Sequence, residues 1–289
     1  MRRSIMFLPA AKPGNLLNAD VYGADGIVID LEDATAIGEK DSARILLKHA
    51  LRTFHYNAEV IIRINSLSTP WWKADLEMIV PEKPDTIMPT KVYTPNDIRL
   101  IDETITRIET EHGMEVGKIR LLPLLETAGG IEHAYEIALA SPRIDGLYLG
   151  AVDLALDMKA TLTDESYEIA YARSRLVTAA RTVGIDAIDT PYLQVRNYEG
   201  LQKVTRIVKN MGFNGKACIY PGQVSYVNAI FSPTAEEYEI AKAVVSAFNQ
   251  AESEGRGVVV VGGKMYDGPA ITIVRNTVEE YERINGVRT

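Results

Sequence analysis

The 289-residue sequence holds one cysteine, four histidines, two tryptophans and five phenylalanines. A single thiol, Cys218, excludes an intramolecular disulfide, and its apolar setting in KACIY reads as a buried, inert group in a reducing compartment. No apolar run approaches the roughly 20 residues of a membrane span. Nothing after Arg2 and Arg3 has the make-up of a signal-peptide core, so a soluble, cytoplasmic protein is expected. Basic charge is also scarce: 31 Lys and Arg stand against 39 Asp and Glu, a net charge of −8, which argues against nucleic acid as a partner. His49, His55, His112 and His133 all fall in helical or helix-end segments, which disfavours zinc and leaves acid–base work to carboxylates, metal or water.

What the chain does have is 46% hydrophobic residues, enough for one large α/β domain with an extension. Short β-rich runs recur at 4–8, 26–31, 60–65, 85–91, 119–126, 146–153, 185–190 and 216–220. The intervening pieces 40–53, 96–112, 132–140, 167–183 and 198–211 carry apolar residues at helical spacing with charged faces. Eight strands alternating with helices predict an α/β fold, a (β/α)8 TIM barrel over residues 1–230. Residues 231–289 are surplus to it: a charged amphipathic helix at 234–254, a glycine-punctuated β-rich run at 255–268, and a helical tail. Such an extension suits a lid or an arm packing on a neighbouring subunit. It presents Asp267 between Tyr266 and Gly268, and a solvated turn aspartate is the plainer reading of that residue.

Several predicted strands end in a polar residue, namely Glu32, Arg63, Lys91, Glu126, Asp153 and Thr190, and in this fold the carboxyl-terminal edge is the active one. In LLPLLETAGG (121–130) an apolar run stops at Glu126, and DGLYLGAVDLALD (145–157) delivers Asp153 one strand-plus-helix unit later. Two carboxylates on neighbouring strands without histidine or thiolate partners select a hard cation, Mg²⁺ or alternatively Mn²⁺. Glu32 and Asp33, from DLED, are read as groups that hold the water ligands of that metal. Arg63 in VIIRIN needs an anion, either Glu32 or a substrate oxygen. Gly129 and Gly130 would let a ligand carboxylate approach helix N–H groups, or serve only the turn. Lys91 invites a Schiff-base reading, with pairing to the surrounding acids as the stronger one.

The ordered set RRSIMFLP, VIDLEDA, EKDSAR, IIRIN, LLETAGGI, LGAVDL, AIDTPY, MGFNGK, FSPT and GKMYDGPAI resembles the citrate lyase β-subunit family, which includes malyl-CoA and citramalyl-CoA lyases. The resemblance implies a carbon–carbon lyase in which Glu126 and Asp153 ligate Mg²⁺, Arg63 stabilises a thioester enolate, and Asp267 moves a proton, acting across a subunit boundary in a trimer or hexamer. Coenzyme A then arrives as part of the substrate, with Lys12 in the first βα loop a phosphate contact. Three readings follow: a stand-alone acyl-CoA lyase releasing acetyl-CoA and a 2-oxoacid, a citryl lyase subunit acting on an acyl-carrier-protein thioester, and a thioester-binding subunit with weak turnover.

Overall fold

The computed structural model describes residues 2–164 and 166–286, and the chain divides into two compact units after Asn228. In the first unit the apolar runs become strands β1 (Ser4–Pro9), β2 (Gly26–Asp30), β3 (Glu59–Ile64), β4 (Thr86–Pro89), β5 (Arg120–Leu121), β6 (Leu124–Leu125), β7 (Gly146–Leu149), β8 (Asp186–Asp189) and β9 (Gly215–Cys218). Their pairing is parallel throughout, in the order β5-β4-β3-β2-β1-β9-β8-β7-β6.

The two ends of that order, β5 and β6, are consecutive pieces of one stretch interrupted at Leu122 and Pro123, and proline has no N–H to give a ladder. Leu122 N still donates to the Ile87 carbonyl, and the Pro123 carbonyl accepts from Tyr148 N. The stretch therefore faces β4 on one side and β7 on the other, and the sheet closes into an eight-stranded (β/α)8 barrel. Alternate residues point inward and fill it: Ile5, Val28, Ile61, Met88, Leu122, Leu124, Tyr148, Ile188 and Ala217 form one buried cluster.

Helices pack outside because their apolar residues recur every three or four positions. In Pro95–Glu111, Ile98, Ile101, Ile105 and Ile108 are buried, and Thr94 and Asp97 close a capping box at its start. The sequence reading differs from the structure at two places near the site. The predicted strand 146–153 ends at Leu149, and Gly150 caps a helix, Ala151–Asp157, so Asp153 sits in a first helical turn rather than on a strand. The predicted helix 132–140 is two short turns, Ala128–Glu132 and Ala134–Ala138, broken at His133.

The second unit packs the helices Ala235–Ser253 and Gly268–Asn285 with the antiparallel hairpin β10 (Val259–Val261) and β11 (Lys264–Tyr266). Gly262 and Gly263 make its turn with φ of +58° and +78°, the left-handed pair that a two-residue hairpin loop demands. Val244, Phe248, Tyr266 and Ile271 form its small core, and Tyr238 stacks on Tyr281 at 4.2 Å. Among the described residues no helix is long and apolar enough to cross a membrane.

The barrel wall also contains a fully buried ion cluster. Asp189 accepts from Arg173 Nε at 2.9 Å and from Lys216 Nζ at 2.5 Å. Burial opposes its charge, yet Lys216 and Arg173 hold its carboxyl below the usual range. A depressed carboxylate pKa stabilises the fold above the unfolded-state pKa and loses that contribution as pH falls. Asp189→Asn leaves two buried cations without a counter-charge, so urea denaturation at pH 7 is expected to show a loss of about 3–5 kcal/mol.

Candidate active site at the mouth of the barrel

Because all strands of the barrel run parallel, their carboxyl ends open on one face. A cavity of about 150 Å³ there is lined by Phe7, Arg63, Glu126, Tyr148, Gly150 and Asp153, among others. A larger hollow of about 900 Å³ includes Arg2, Glu59, Thr86 and Asp145 at the opposite face. Arg2 is tied there to Glu59 at 2.7 Å and Asp145 at 2.9 Å, the arrangement of a face that stabilises the barrel rather than one that reacts.

Arg63 lies in register with Asp30 on the neighbouring strand. Its Nε donates to Asp30 Oδ1 at 2.7 Å, and its Nη2 to Asp30 Oδ2, a bidentate fork. Nη1 is not used by Asp30; its nearest carboxylate is Glu32, at 3.4 Å. The sequence reading offered Glu32 or a substrate oxygen as the partner, so Asp30 is the residue it missed. The signal was present: a lone acid in the apolar strand GIVID beside a lone base in EVIIRI.

Glu32 is buried and accepts Lys91 Nζ at 2.6 Å. Desolvation raises its pKa, with Arg63 and Lys91 pulling the other way. Its loop is held from behind by buried Lys40, whose Nζ donates to the carbonyls of Leu31 and Glu32 at 2.8 and 2.7 Å, and by Asn65, which donates to Leu31 O. Asp33 is more exposed, 3.8 Å from Lys91 Nζ. Burial pulls the Lys91 ammonium down, but Glu32 and Asp33 more than offset it and leave its pKa raised. A Schiff-base lysine needs the opposite shift. The Lys91 backbone is left-handed, with φ of +52°, and in that conformation its N–H donates to Glu126 Oε1 at 2.9 Å.

Glu126 is buried just after β6. Burial first, and then the Asp153 charge, push its carboxyl up to about 8, against the pull of Arg63. A Cβ on Gly150 would stand 2.6 Å from both Glu126 Cβ and Oε2, so only glycine leaves room for this side chain. The carboxylate of half-buried Asp153 accepts no hydrogen bond among the described residues. Two facing carboxylates, one held partly protonated and one without a donor, are a donor set for a divalent cation. No group of three or more such ligands occurs among the described residues, so water and substrate would complete the shell.

The other predicted residues have plainer surroundings. A Cβ on Gly129 would meet the Tyr93 ring at 2.1 Å, and one on Gly130 the Val92 carbonyl at 2.3 Å, so both glycines are needed for loop packing. Gly130 N donates to Thr127 Oγ1, and Ala128 N to Asp157. Lys12 is exposed, three residues past β1. Asp267, in the second unit, is the N-cap of Gly268–Asn285 and accepts Ala270 N through Oδ1 at 3.1 Å. Cys218 is fully buried, its thiol pushed up to about 12 by desolvation. Tyr148, buried at the cavity floor, gave no signal in the sequence, since tyrosine is ordinary in a strand.

The family model described as HpcH/HpaI aldolase/citrate lyase matches residues 3–221. The chain belongs to the HpcH/HpaI aldolase/citrate lyase family. It is 37% identical to citrate lyase subunit beta of Haemophilus influenzae, covering 100% of this chain and 99% of that protein. It is 34% identical to a (3S)-malyl-CoA thioesterase of Cereibacter sphaeroides, covering 99% and 96%. Its fold matches CitE of Mycobacterium tuberculosis, solved with magnesium, acetoacetate and coenzyme A, at a TM-score of 0.78 and 27% identity over 96% of this chain and 97% of that one. As a member of this family it is a carbon–carbon lyase.

A metal on Glu126 would need that carboxylate ionised, and burial and Asp153 push its pKa up to about 8, so binding there at pH 7 would displace a proton. Titrating Mg²⁺ into lightly buffered protein is expected to release close to one proton at pH 7. Affinity should rise with pH to about 8 and level off above it. Gly150→Ala, which drives a Cβ into Glu126, is expected to abolish both the binding and the proton release.

Proposed function

We propose that this chain is a Mg²⁺-dependent lyase that cleaves a small β-hydroxyacyl-CoA of the citramalyl-CoA, malyl-CoA or citryl-CoA type into acetyl-CoA and a 2-oxoacid, or runs the reverse condensation. The observation that carries the reading is the single cavity lined by Glu126, Asp153 and Arg63, two acceptors for a cation opposite a donor for an anion. Mg²⁺ held by Glu126 and Asp153 would supply Lewis acidity to the carboxylate and hydroxyl oxygens of the substrate. Mn²⁺ fits the same oxygen donors.

The chain's own residues account for the remaining demands. Cleaving the bond between the α and β carbons sends its electron pair into the thioester as an enolate, and a charge-assisted donor already in place stabilises that oxygen. Arg63 meets the requirement because Asp30 locks the Nε/Nη2 edge of its guanidinium and leaves Nη1 for the ligand. Glu32 and Asp33 would hold water ligands of the metal, and Lys91 orients Glu32 and favours its charged form against desolvation. Gly129, whose N–H serves neither of the turn's hydrogen bonds above, Gly130 and Lys12 remain our proposed substrate contacts, with Lys12 for a coenzyme A phosphate.

Asp267 is our proton donor to the enolate carbon, and its base in the reverse direction. We assign it to the site of a neighbouring subunit in a homotrimer or hexamer, with residues 231–289 as the arm. Exposed Val260 and Met265 on the hairpin are the apolar surface such an arm would bury. The carrier-protein reading draws support from the relatives named citrate lyase subunit beta, and a thioester-hydrolysing step from those named (3S)-malyl-CoA thioesterase. A thioester-binding subunit with weak turnover is the remaining reading.

Incubating the protein with the three CoA thioesters, with Mg²⁺ or chelator, and resolving acetyl-CoA from free CoA separates these readings. Metal-dependent acetyl-CoA is expected; free CoA in its place marks hydrolysis, and no reaction on any of them turns the assay to carrier-protein thioesters. Asp267→Asn is expected to lose turnover by more than 100-fold while keeping the melting temperature, since asparagine also caps a helix. Asp267→Ala should additionally cost about 1 kcal/mol of stability. Wild-type turnover in the asparagine variant removes Asp267 from the chemistry.

A further inference from the structure

A buried tyrosine normally finds a partner for its hydroxyl, because an unpaired buried donor costs free energy. Tyr148 is only 2% exposed, and among the described residues nothing hydrogen-bonds its Oη. It does not lie in a sealed core. Its ring shares the lining of the 150 Å³ cavity with Arg63, Glu126 and Asp153. Phe7 is the spacer: Arg63 stacks over the Phe7 ring at 5.4 Å, and Tyr148 packs against the same ring at 5.8 Å. Of the charges around it, Arg63 acts on the phenol most strongly.

The cavity therefore has two kinds of wall. Glu126 and Asp153 accept, and they suit a cation. Arg63 Nη1 and Tyr148 Oη are donors on the same cavity, and a ligand oxygen meeting both gains most when it carries negative charge. Apolar side chains, among them Phe7, Leu124 and Ile219, line the same cavity. A second full carboxylate seated there would be desolvated with only a cation already shared by Asp30. An oxygen whose charge is delocalised and develops only during reaction is the better fit.

We propose that Tyr148 is a catalytic oxyanion donor, its hydroxyl joining Arg63 in hydrogen-bonding the enolate oxygen of the acyl thioester; this rests on the lyase reading above. No proton is transferred by Tyr148. As the bond between the α and β carbons breaks, the electron pair enters the thioester, the phenol keeps its hydrogen, and the enolate carbon takes its proton from the acid assigned above. Burial raises the phenol's pKa well above its ordinary value, which keeps the donor protonated.

The test is Tyr148→Phe in the full-length, Mg²⁺-loaded protein, which removes one oxygen and keeps the ring. Because that oxygen has no protein partner, the melting temperature should not fall. Loss of one oxyanion donor is expected to lower kcat on the order of 100-fold, with KM for the thioester nearly unchanged. Independently of turnover, the affinities for carboxymethyl-CoA, whose carboxylate oxygen mimics the enolate oxygen, and for CoA itself are compared. The variant should lose about tenfold in carboxymethyl-CoA affinity and nothing for CoA. An unchanged preference for carboxymethyl-CoA overturns the proposal, as does an equal loss for both ligands with a lower melting temperature, the mark of a structural role. A rise confined to the KM of the 2-oxoacid in the reverse reaction also overturns it. A wild type that turns over neither CoA nor carrier-protein thioesters yet shows the Tyr148-dependent preference overturns the catalytic role, and leaves Tyr148 only as a hydrogen-bond donor to an anionic oxygen of a bound acyl-CoA.

Discussion

The site depends on Lys91 standing between two carboxylates. Glu32 and Glu126 repel one another across the mouth, and neither has water enough to screen its charge. Lys91 answers both at once, with its ammonium on Glu32 and its backbone N–H on Glu126. The left-handed backbone that permits this costs a non-glycine residue roughly 1 kcal/mol. From that residue the arrangement runs outward in both directions. Through Glu32 it reaches the loop anchored by Lys40 and Asn65. Through Glu126 it reaches Gly150 and the helix carrying Asp153.

The barrel was legible because its signals are additive. Each strand is a short apolar run with both faces buried, each helix has an apolar stripe, and the period alternates along more than 200 residues. The helices Lys40–Thr53 and Tyr198–Met211 fall on the bounds their periodicity predicts; the one glycine, Gly200, sits in a first turn, where it donates to the Asn197 cap. Periodicity says less where glycine intervenes. Gly150 turns an apparent strand into a helix start, and the apolar residues that follow serve either geometry.

The chemistry was legible only as far as isolated charges in apolar runs reveal it. Glu126, Asp153, Arg63, Glu32 and Lys91 do line or flank one mouth. Which of them pair was not legible, because pairing depends on strand register, and register places Asp30 opposite Arg63. Gly129 and Gly130 illustrate the reverse case. A glycine pair before a helix suggests an approach for a ligand; the sequence does not show that Val92 and Tyr93 also pack on the side where their Cβ atoms would stand. Tyr148 carries no mark in one dimension at all; only an unpartnered hydroxyl on a buried residue that lines the cavity sets it apart.

The interruption at Leu122 and Pro123 makes a seam in the barrel, and the site is divided along it. Asp30, Glu32, Arg63 and Lys91 belong to the half that runs from β1 to β5, and Glu126, Tyr148 and Asp153 to the half that runs from β6 to β9. Neither half contains both the acceptors for a cation and the guanidinium for an anion. The bond from Lys91 N to Glu126 is a stitch across that seam, and a ligand spanning the mouth adds another. Occupancy of the mouth and integrity of the cylinder are thus one equilibrium: whatever bridges the two halves tightens the whole barrel, and whatever loosens the seam disperses the groups gathered at the mouth before the halves themselves come apart.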